Sequence, residues 1–531
     1  MSTSYLHIRL VGILALAFLF AGCASVPAHH FHDKKVSTAW SAPADTRLGK
    51  RYAAGQAQNP EHSGVVLLSR GENAFNARVA LIDAAERTID VQYYLWYGDT
   101  TGKLMLSRLL SAAQRGVRVR ILIDDINLNG LDFSLALLDS HPNLEVRIFN
   151  PFGSRASPIG RLVEFLGGAR HLNHRMHNKA FIVDNVSAII GGRNIGDHYF
   201  GVNTDANFRD VDMMAVGRVV PEVSRSFDAY WNGTWAVPVK ALVKDAPPEE
   251  RVNRARDALQ SFTDQLEGYP YPHRRDLQAA LDSLDDLDKR LIWARTSVMY
   301  DDPEKVGNPD SQRMGQAIAR IIQGAGSELM IESAYFVPLD AGVRSLAELT
   351  ARGVRVRVLT NSLASTDVAA AHGGYAKYRP DMLRHGVELH EFRPDGKPDT
   401  RRRAGSGFYG SSRISLHSKA MVVDRRLVYI GTANLDPRSL VLNTEIGLLV
   451  DSAEFAATVA RFIESGFDPA SSWRVTKPLP TEREPLLEPV DLVWTSVRNG
   501  VLTRVTHDPD AGIARSLGAA LLSLLPIDDQ L

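Results

Sequence analysis

Two segments of the chain repeat a histidine, a lysine and an aspartate at the same spacing. The first reads His177-Asn-Lys179-Ala-Phe-Ile-Val-Asp184 and the second reads His417-Ser-Lys419-Ala-Met-Val-Val-Asp424. A histidine and a lysine two positions apart on a strand point to the same face. The imidazole and the ammonium of each copy would therefore converge on one place, as a phosphate site requires.

A glycine-containing turn with an asparagine follows each motif. The first turn is Gly191-Gly192-Arg-Asn194 and the second is Gly431-Thr432-Ala-Asn434. The glycines let a backbone approach closely, and the amide of Asn194 or Asn434 can hydrogen-bond a phosphoryl oxygen. We interpret the two motif aspartates, Asp184 and Asp424, as residues that tie strand to loop.

Three histidines offer a metal site as an alternative. His171, His174 and His177 lie at three-residue intervals, and histidines are common zinc ligands. Their neighbours Arg170 and Arg175 favour instead a basic edge that faces phosphate. Convincing ligand spacing is absent elsewhere in the sequence, which therefore predicts neither a metal nor another cofactor.

The elements around the motifs also repeat. Residues 112–124 (AAQRGVRVRILID) and 349–361 (LTARGVRVRVLTN) each predict the end of a helix, a turn at Arg-Gly and a strand. Further strands are predicted at 89–96 and 144–151 in the first copy, and at 329–337 and 387–394 in the second. The order strand, helix, strand, helix, strand, motif predicts a largely parallel sheet with helices on both faces.

The composition and the N-terminus limit the class of protein. The chain has 531 residues, too many for one ordinary domain, and its 61 basic and 61 acidic residues provide no net field toward nucleic acid. The apolar run at 10–20 is short for a membrane span and fits a secretory signal. Ala21 and Gly22 precede the single cysteine, Cys23, and resemble the lipobox of bacterial lipoproteins.

The paired motifs resemble the signature of the phospholipase D superfamily over roughly residues 55–468. The resemblance implies two tandem α/β/α sandwich domains, related by a pseudo-twofold axis, that form one active site in a monomer. It also implies that one of His177 and His417 forms a covalent phosphohistidine and that the other exchanges protons with the alcohols. Family habit favours His177 as the nucleophile.

The same resemblance assigns the supporting residues. Four side chains would hold the non-bridging oxygens: Lys179, Lys419, Asn194 and Asn434. An acid downstream of each motif would orient the imidazole of that motif. In the second copy this acid is Glu445, and in the first it is either Asp210 or Asp212. Lysines take the place of a metal cation.

Intervening segments resemble a narrower group, the bacterial C-type cardiolipin synthases. They include Asp90-Val-Gln-Tyr-Tyr94, Tyr335-Phe-Val-Pro338 and Leu442-Asn-Thr-Glu445. That group transfers a phosphatidyl group to the head-group hydroxyl of phosphatidylglycerol, so the expected partners are a phospholipid membrane, phosphatidylglycerol and a second phospholipid, with no nucleic acid. A hydrolytic phospholipase D or an exported nuclease would use the same residues, whereas a non-catalytic scaffold would be expected to have lost one of them.

These observations divide the chain into six parts. They are a signal peptide (1–22), a lipidated tether (23–59), the first domain (60–236), a helical connector (237–304), the second domain (305–475) and a C-terminal tail (476–531). We expect a bacterial membrane protein that is lipid-anchored at Cys23 and faces the periplasm. Ala24 after the cysteine favours the outer membrane over the inner one.

Overall fold

The computed structural model describes residues 34–153, 160, 170–243, 245–266, 277–306, 308, 313–395, 413–478 and 492–512. The predicted signal peptide, Cys23 and the end of the predicted tail lie outside these residues. Within the described ranges, no helix combines the length and the apolar character that crossing a membrane requires.

The strands of the two halves follow one another in the same pattern. The first half contains β1 (Ser63–Leu68), β2 (Thr88–Tyr93), β3 (Arg118–Asp124), β4 (Leu144–Phe149), β5 (Ala180–Val183), β6 (Ser187–Gly191), β7 (Ala206–Arg209), β8 (Asp212–Gly217) and β9 (Ala236–Pro238). The second half contains β10 (Ile292–Tyr300), β11 (Glu328–Ser333), β12 (Arg355–Asn361), β13 (Glu388–Phe392), β14 (Arg413–Leu416), β15 (Lys419–Val423), β16 (Leu427–Gly431), β17 (Ile446–Asp451) and β18 (Ser472–Thr476), and then β19 (Val493–Arg498) and β20 (Val501–Val505).

Eighteen of these strands pair into one mixed sheet with an internal repeat. The first half has the order β9-β4-β3-β2-β5-β6-β8-β1, and the second has the order β18-β13-β12-β11-β15-β16-β17-β10. In each half three adjacent strands are parallel, β2-β3-β4 or β11-β12-β13. The other pairings of the described sheet are antiparallel, so the sheet is mixed but not largely parallel as predicted. Strands β7 and β14 form a separate parallel pair that joins the halves.

Helices connect the parallel strands and cover the sheet. They are α1 (Arg47–Gln58), α2 (Gly71–Ala84), α3 (Thr100–Gln114), α4 (Asp132–Asp139), α5 (Asp197–Phe200), α6 (Val220–Asn232), α7 (Glu249–Asp264), α8 (Leu277–Asp288), α9 (Arg313–Gln323), α10 (Leu339–Ala351), α11 (Ala369–Ala376), α12 (Arg379–Arg384) and α13 (Ala453–Phe467). A π-helical turn spans Arg438–Leu442. Short 3-10 helices lie at Pro43–Asp45, Asp125–Asn127, Arg170–Asn173, Val239–Ala241 and Pro303–Val306.

The predicted Arg-Gly turns are present in both halves. Helix α3 ends at Gln114 and helix α10 at Ala351, and the glycines that follow them have φ values of 93° at Gly116 and 86° at Gly353. Glycine adopts this left-handed conformation without the steric cost that a Cβ atom brings. The same local chemistry therefore starts the second parallel strand of each half.

Apolar packing also crosses from one half to the other. One core cluster contains Ile182 and Met213 of the first half together with Met330 and Val422 of the second. Helices α6 and α13 contribute large side chains to the same cluster, including the fully buried Phe227. Burying apolar surface at about 25 cal/mol per Å² stabilises this shared core, which fixes the two motif-bearing strands relative to each other.

The predicted helical connector differs from the structure at its end. Residues 292–300 form strand β10, which pairs antiparallel with β1 on one side and with β17 on the other. Strand β10 occupies the place in the second half that β1 occupies in the first. The apolar, β-branched character of this segment, with Ala294 buried, places it in the sheet rather than in a connector.

The predicted tether and tail also contain folded parts. Helix α1 packs on the first half through Leu48 and Tyr52, which are 0% and 5% exposed, and Arg51 Nε donates to Asp288 Oδ2 at 2.7 Å. Strands β19 and β20 extend the sheet beyond β18, and Trp494 Nε1 donates to Glu391 Oε2 at 3.0 Å. Residues 47–58 and 493–505 are therefore parts of the folded body.

Candidate active site

Each motif segment forms a backbone hydrogen bond with the other half of the chain. The backbone N–H of His177 donates to the carbonyl of Thr444 at 2.9 Å, and the N–H of His417 donates to the carbonyl of Arg209 at 2.8 Å. Both histidines lie in the extended segments directly before β5 and β15. Each motif is thus paired with the segment that ends in an acidic residue of the other half, Glu445 or Asp210.

Each imidazole is oriented by an acid from the opposite half. His177 Nδ1 lies 2.9 Å from Glu445 Oε2 and 3.0 Å from Oε1. His417 Nδ1 lies 2.6 Å from Asp210 Oδ2. All four residues are at least nine-tenths buried. The acids Glu445 and Asp210 were identified from the sequence, but the expectation that each would serve its own motif is wrong.

Asp212, the alternative to Asp210, has a different role. Its Oδ2 accepts from Arg78 Nη2 at 2.9 Å, and its Oδ1 accepts the backbone N–H of Arg193 at 3.2 Å. It is the first residue of β8, whereas Asp210 lies before that strand, in the segment that separates β7 from β8. The prediction that Asp212 orients a histidine is therefore wrong.

The two motif lysines lie beside their histidines. Lys179 Nζ donates to the carbonyl of His177 at 2.7 Å, and Lys419 Nζ donates to the carbonyl of His417. Burial lowers the pKa of Lys179 to about 7, with Glu445 raising it and Lys419 lowering it. Burial also lowers the pKa of Lys419. Charges from both halves therefore act on one place, as a single shared site requires.

Burial favours the neutral form of both histidines. Burial lowers the pKa of His177 to about 4, Glu445 raises it, and Lys179 and Lys419 lower it. Burial and Lys419 lower the pKa of His417, whereas Asp210 raises it. With Nδ1 held by a carboxylate, Nε2 of each neutral ring carries the lone pair. The site can therefore offer both a nucleophile and a proton carrier.

Aromatic rings enclose the two imidazoles. The ring of Tyr94 lies 5.0 Å from that of His177. The rings of Tyr199 and Phe208 lie 5.1 Å and 4.9 Å from that of His417. Sequence reasoning did not assign Tyr199 or Phe208 a place beside a histidine, because their spacing from His417 along the chain carries no signal.

The two asparagines differ in their contacts. Asn194 Oδ1 accepts the backbone N–H of Leu95 at 3.0 Å, and its Nδ2 donates to the hydroxyl of Tyr199 at 2.9 Å. Asn434 is buried, and its Oδ1 has no hydrogen-bond partner among the described residues. Asn194 thus links the site to its aromatic wall, and its role as a phosphate ligand stays a prediction, as does that of Asn434.

The motif aspartates hold backbone, as the sequence interpretation suggested. Asp184 accepts the N–H groups of Glu86, Arg87 and Thr88 at 2.8–3.0 Å. Asp424 accepts those of Gly326, Ser327 and Glu328 at 2.7–2.9 Å. Each carboxylate therefore fixes the start of the neighbouring parallel strand, β2 or β11. Although both aspartates belong to the repeated motif, they bind backbone and not the histidines.

The turn after each motif contacts the acid that orients a histidine. A Cβ atom on Gly192 would lie 2.1 Å from Asp210 Oδ1, so only glycine fits there. In the second half Thr432 takes that place, and its hydroxyl donates to Glu445 Oε2. The backbone N–H of Ile446 in turn donates to Thr432 Oγ1 at 2.9 Å. The close approach at Gly192 and the hydroxyl of Thr432 each fix one orienting acid.

The described residues contain no cluster of three or more histidine, cysteine or acidic side chains that could hold a metal ion. Of the histidines considered for zinc, His174 Nδ1 lies 2.7 Å from the carbonyl of Leu442, and His177 is held by Glu445. Arg175 forms a buried ion pair with Asp124 at 2.7 Å. The segment is thus used for packing between the halves.

Comparisons with known proteins match both repeats. A family model described as "Cardiolipin synthase, PLD-like domain" matches residues 79–231 and 318–466. Cardiolipin synthase C of Escherichia coli (strain K12) is 42% identical over 429 residues, which cover 79% of this chain and 88% of that protein. Cardiolipin synthase A of Pseudomonas entomophila (strain L48) is 29% identical over 76% of this chain and 69% of that protein. The crystal structure of phosphatidylserine synthase from Haemophilus influenzae Rd KW20 superimposes with a TM-score of 0.50 at 15% identity, over 78% of this chain and 90% of that one, and shares its fold.

Proposed function

This chain belongs to the phospholipase D superfamily as a cardiolipin synthase-like phosphatidyltransferase, and we propose that it forms cardiolipin through a phosphohistidine intermediate. The donor is a phospholipid, and the acceptor is the head-group hydroxyl of phosphatidylglycerol. The second product is the small alcohol released from the donor.

One observation carries this proposal: both histidines have Nδ1 bound to a buried carboxylate from the opposite half. An imidazole held in this way keeps Nε2 directed at the substrate and stabilises positive charge on the ring. The two adjacent lysines supply positive charge for a phosphodiester without a metal. Two-step covalent transfer needs both features.

We assign the nucleophile to His177. Burial lowers the pKa of His177 to about 4, and the charges of Lys179 and Lys419 add to this effect against that of Glu445, so its ring stays neutral and nucleophilic. At His417 one lysine lowers the pKa further after burial, and two carboxylates, Asp210 and Asp367, raise it. A bound anionic phosphodiester adds negative charge that favours the protonated ring. His417 is therefore suited to carry the proton.

The reaction then has two balanced steps. Nε2 of His177 attacks phosphorus and forms the P–N bond as the P–O bond to the leaving alcohol breaks, and His417 donates a proton to that alcohol. In the second step His417 takes the proton from the hydroxyl of phosphatidylglycerol, whose oxygen attacks phosphorus and releases His177. Lys179 and Lys419 stabilise the charge of both transition states.

The location and assembly belong to the same proposal. Acylation at Cys23 would anchor the protein to the periplasmic face of a bacterial membrane, with the outer membrane favoured by Ala24. Since one chain supplies both histidines and both acids, we expect activity from the monomer. Labelling with radioactive palmitate and fractionation of the membranes test the anchor, with Cys23→Ser as the matched variant.

Lipid mass spectrometry tests the activity. The full chain is incubated with vesicles of phosphatidylglycerol and phosphatidylethanolamine, and we expect cardiolipin and free ethanolamine or glycerol. His177→Ala and His417→Ala should each abolish the product, whereas the exposed His385→Ala should retain it. Phosphatidic acid without cardiolipin would indicate hydrolysis instead, and cleavage of plasmid DNA in a parallel reaction would indicate a nuclease.

A further inference from the structure

A buried ion pair lies next to each histidine–acid pair. The two ion pairs do not occupy equivalent positions in the two halves. We infer that Arg209–Glu332 positions His417 against Asp210 and that Lys305–Asp301 positions His177 against Glu445. These four residues support the histidines rather than contacting substrate. The inference rests on the proposed function for its chemical meaning, because it concerns the two histidines of that same site.

Glu332 contacts the residues that are adjacent in sequence to Asp210 and to His417. Its Oε1 accepts from Arg209 Nε at 3.0 Å, and its Oε2 accepts from Arg209 Nη2 at 3.2 Å. Oε1 also accepts from the hydroxyl of Ser418. Arg209 directly precedes Asp210, and Ser418 directly follows His417. One carboxylate, only 1% exposed, therefore sets the distance between the acid and the histidine.

Arg209 belongs to the first half, but its side chain lies in the second. Its guanidinium lies 4.0 Å from the ring centroid of Phe462, and its Nη1 donates to Ser465 Oγ at 3.2 Å. Its backbone carbonyl accepts the N–H groups of His417 and Ser418 at 2.8 Å and 3.2 Å. Because Asp210 directly follows Arg209, these contacts hold Asp210 beside His417.

The other half lacks this device. Gln92, 240 positions before Glu332 (332 − 92), takes the corresponding place on β2. Its Nε2 contacts Met176 Sδ at 3.1 Å, and its Oε1 has no hydrogen-bond partner among the described residues. Thr444 stands before Glu445 as Arg209 stands before Asp210, and its hydroxyl donates to Asn178 Oδ1 at 2.7 Å. These neighbours carry no charge.

A different ion pair supports Glu445. The N–H of Glu445 donates to Asp301 Oδ2 at 3.2 Å, and the N–H of Asp301 donates to the carbonyl of Glu445 at 3.1 Å. Lys305 Nζ donates to the same Asp301 oxygen at 2.8 Å, and both side chains are fully buried. Breaking a buried pair leaves an uncompensated charge, so each pair fixes its own histidine–acid contact.

Because the ion pairs are separate, the two histidines can be perturbed one at a time. Glu332→Gln leaves the guanidinium of Arg209, the residue before Asp210, without its carboxylate partner, and this uncompensated positive charge disfavours the protonated ring of His417. Asp301→Asn leaves the charge of Lys305 behind Glu445, which disfavours protonation of His177. The fold accepts a glutamine at the equivalent position of β2, as Gln92 demonstrates.

Nuclear magnetic resonance of histidine rings labelled at Cε1 tests the inference on the full chain. We expect Glu332→Gln to lower the pKa of His417 by about 1, a tenfold change in protonation, with His177 unchanged. Asp301→Asn should lower the pKa of His177 and leave His417 unchanged. Glu328→Gln, which removes a carboxylate from the other end of β11, is the matched control and should move neither.

A second variant guards against loss of the fold. Arg209→Met with Glu332→Gln removes both charges and should restore folding, as judged by thermal unfolding, while the pKa of His417 still differs from that of the wild type. Equal shifts at both histidines, or none beyond the control, would overturn the inference. This readout needs no turnover, so an inactive wild-type protein would contradict the proposed function alone. If the protein is active, each single variant should lower kcat about 10- to 100-fold with little change in KM.

Discussion

His177 and Glu445 are 268 residues apart in the chain, yet the Nδ1 atom of the histidine lies 2.9 Å from Oε2 of the glutamate. In the reciprocal contact, a histidine of the second half meets an acid of the first: His417 Nδ1 lies 2.6 Å from Asp210 Oδ2. Neither motif histidine pairs with an acid of its own half. The catalytic chemistry therefore depends on the packing between the halves, which the shared apolar core and strand β10 maintain.

Glu445→Gln should reduce the formation of cardiolipin by about 10²- to 10⁴-fold in kcat. The neutral amide can select the wrong tautomer of His177 and no longer stabilises its positive charge. Steady-state kinetics on mixed vesicles measure the loss. Asp451→Asn is the control, because Asp451 lies at the far end of β17, the strand that follows Glu445, in an exposed pair with Arg426; this variant should keep wild-type rates. A Glu445→Gln variant with normal kcat would contradict the role of the exchanged acid.

Binding of a divalent anion should weaken as the pH rises above about 7. Burial lowers the pKa of Lys179 to about 7, and a bound anion raises it because it favours the charged ammonium. Binding above pH 7 must therefore take up a proton, which costs at most about tenfold in affinity per pH unit for one proton.

Sulfate is a suitable probe for this effect, since its own charge does not change in this range. Isothermal titration calorimetry in buffers of different ionisation enthalpy measures both the affinity and the proton uptake. Lys179→Met should weaken binding and remove most of the pH dependence, whereas Lys50→Met, at an exposed position, should change neither. Affinity that stays constant from pH 6 to pH 9 would refute the assignment of Lys179.

Gly192→Ala should impair both stability and catalysis. The added Cβ atom would lie 2.1 Å from Asp210 Oδ1, so the carboxylate must move away from His417. Overpacking of this kind costs about 1–3 kcal/mol, and displacement of the acid should lower kcat as well. Chemical denaturation and turnover assays measure the two effects. Gly98→Ala, whose Cβ would meet nothing within 4 Å, should be neutral, and equal behaviour of the two variants would contradict the expectation.

The sequence predicted the parts of the site that repeat in register. The motif residues, the Arg-Gly turns and the parallel strands recur at offsets of 237–243 residues, so local patterns were sufficient for them. The exchange of Glu445 and Asp210 between the halves was not predictable in this way. Residue spacing reports neighbours along one half, whereas this exchange depends on how the two halves pack.

Three predicted boundaries differ from the structure, those of the connector, the tether and the tail, and the first two differ for a related reason. Residues 292–300 follow a charged helix and were assigned to the connector, but they repeat the role of β1 through pairing with β17. Arg47–Gln58 was assigned to the tether, yet Leu48 and Tyr52 pack on the first half. Both segments are defined by their tertiary partners, because their own patterns are short and partly polar.

A substrate with an aryl leaving group should separate the roles of the two histidines. A phenolate of low basicity departs without a proton, so attack on phosphorus no longer needs the general acid. His417→Ala should then release about one equivalent of phenolate per enzyme in a burst and stop at the phosphohistidine, because no base remains to activate the acceptor.

His177→Ala should give no burst, since it lacks the attacking nitrogen. Rapid-quench kinetics measure the burst, and mass spectrometry of the quenched protein locates the phosphoryl group on residue 177. His385→Ala should match the wild type. A burst from His177→Ala and none from His417→Ala would exchange the two assignments, and the electrostatic reasoning that places the neutral nucleophile between two lysines would then be wrong. If neither variant gives a burst, attack on phosphorus requires both histidines, and the separate roles assigned to His177 and His417 would be wrong.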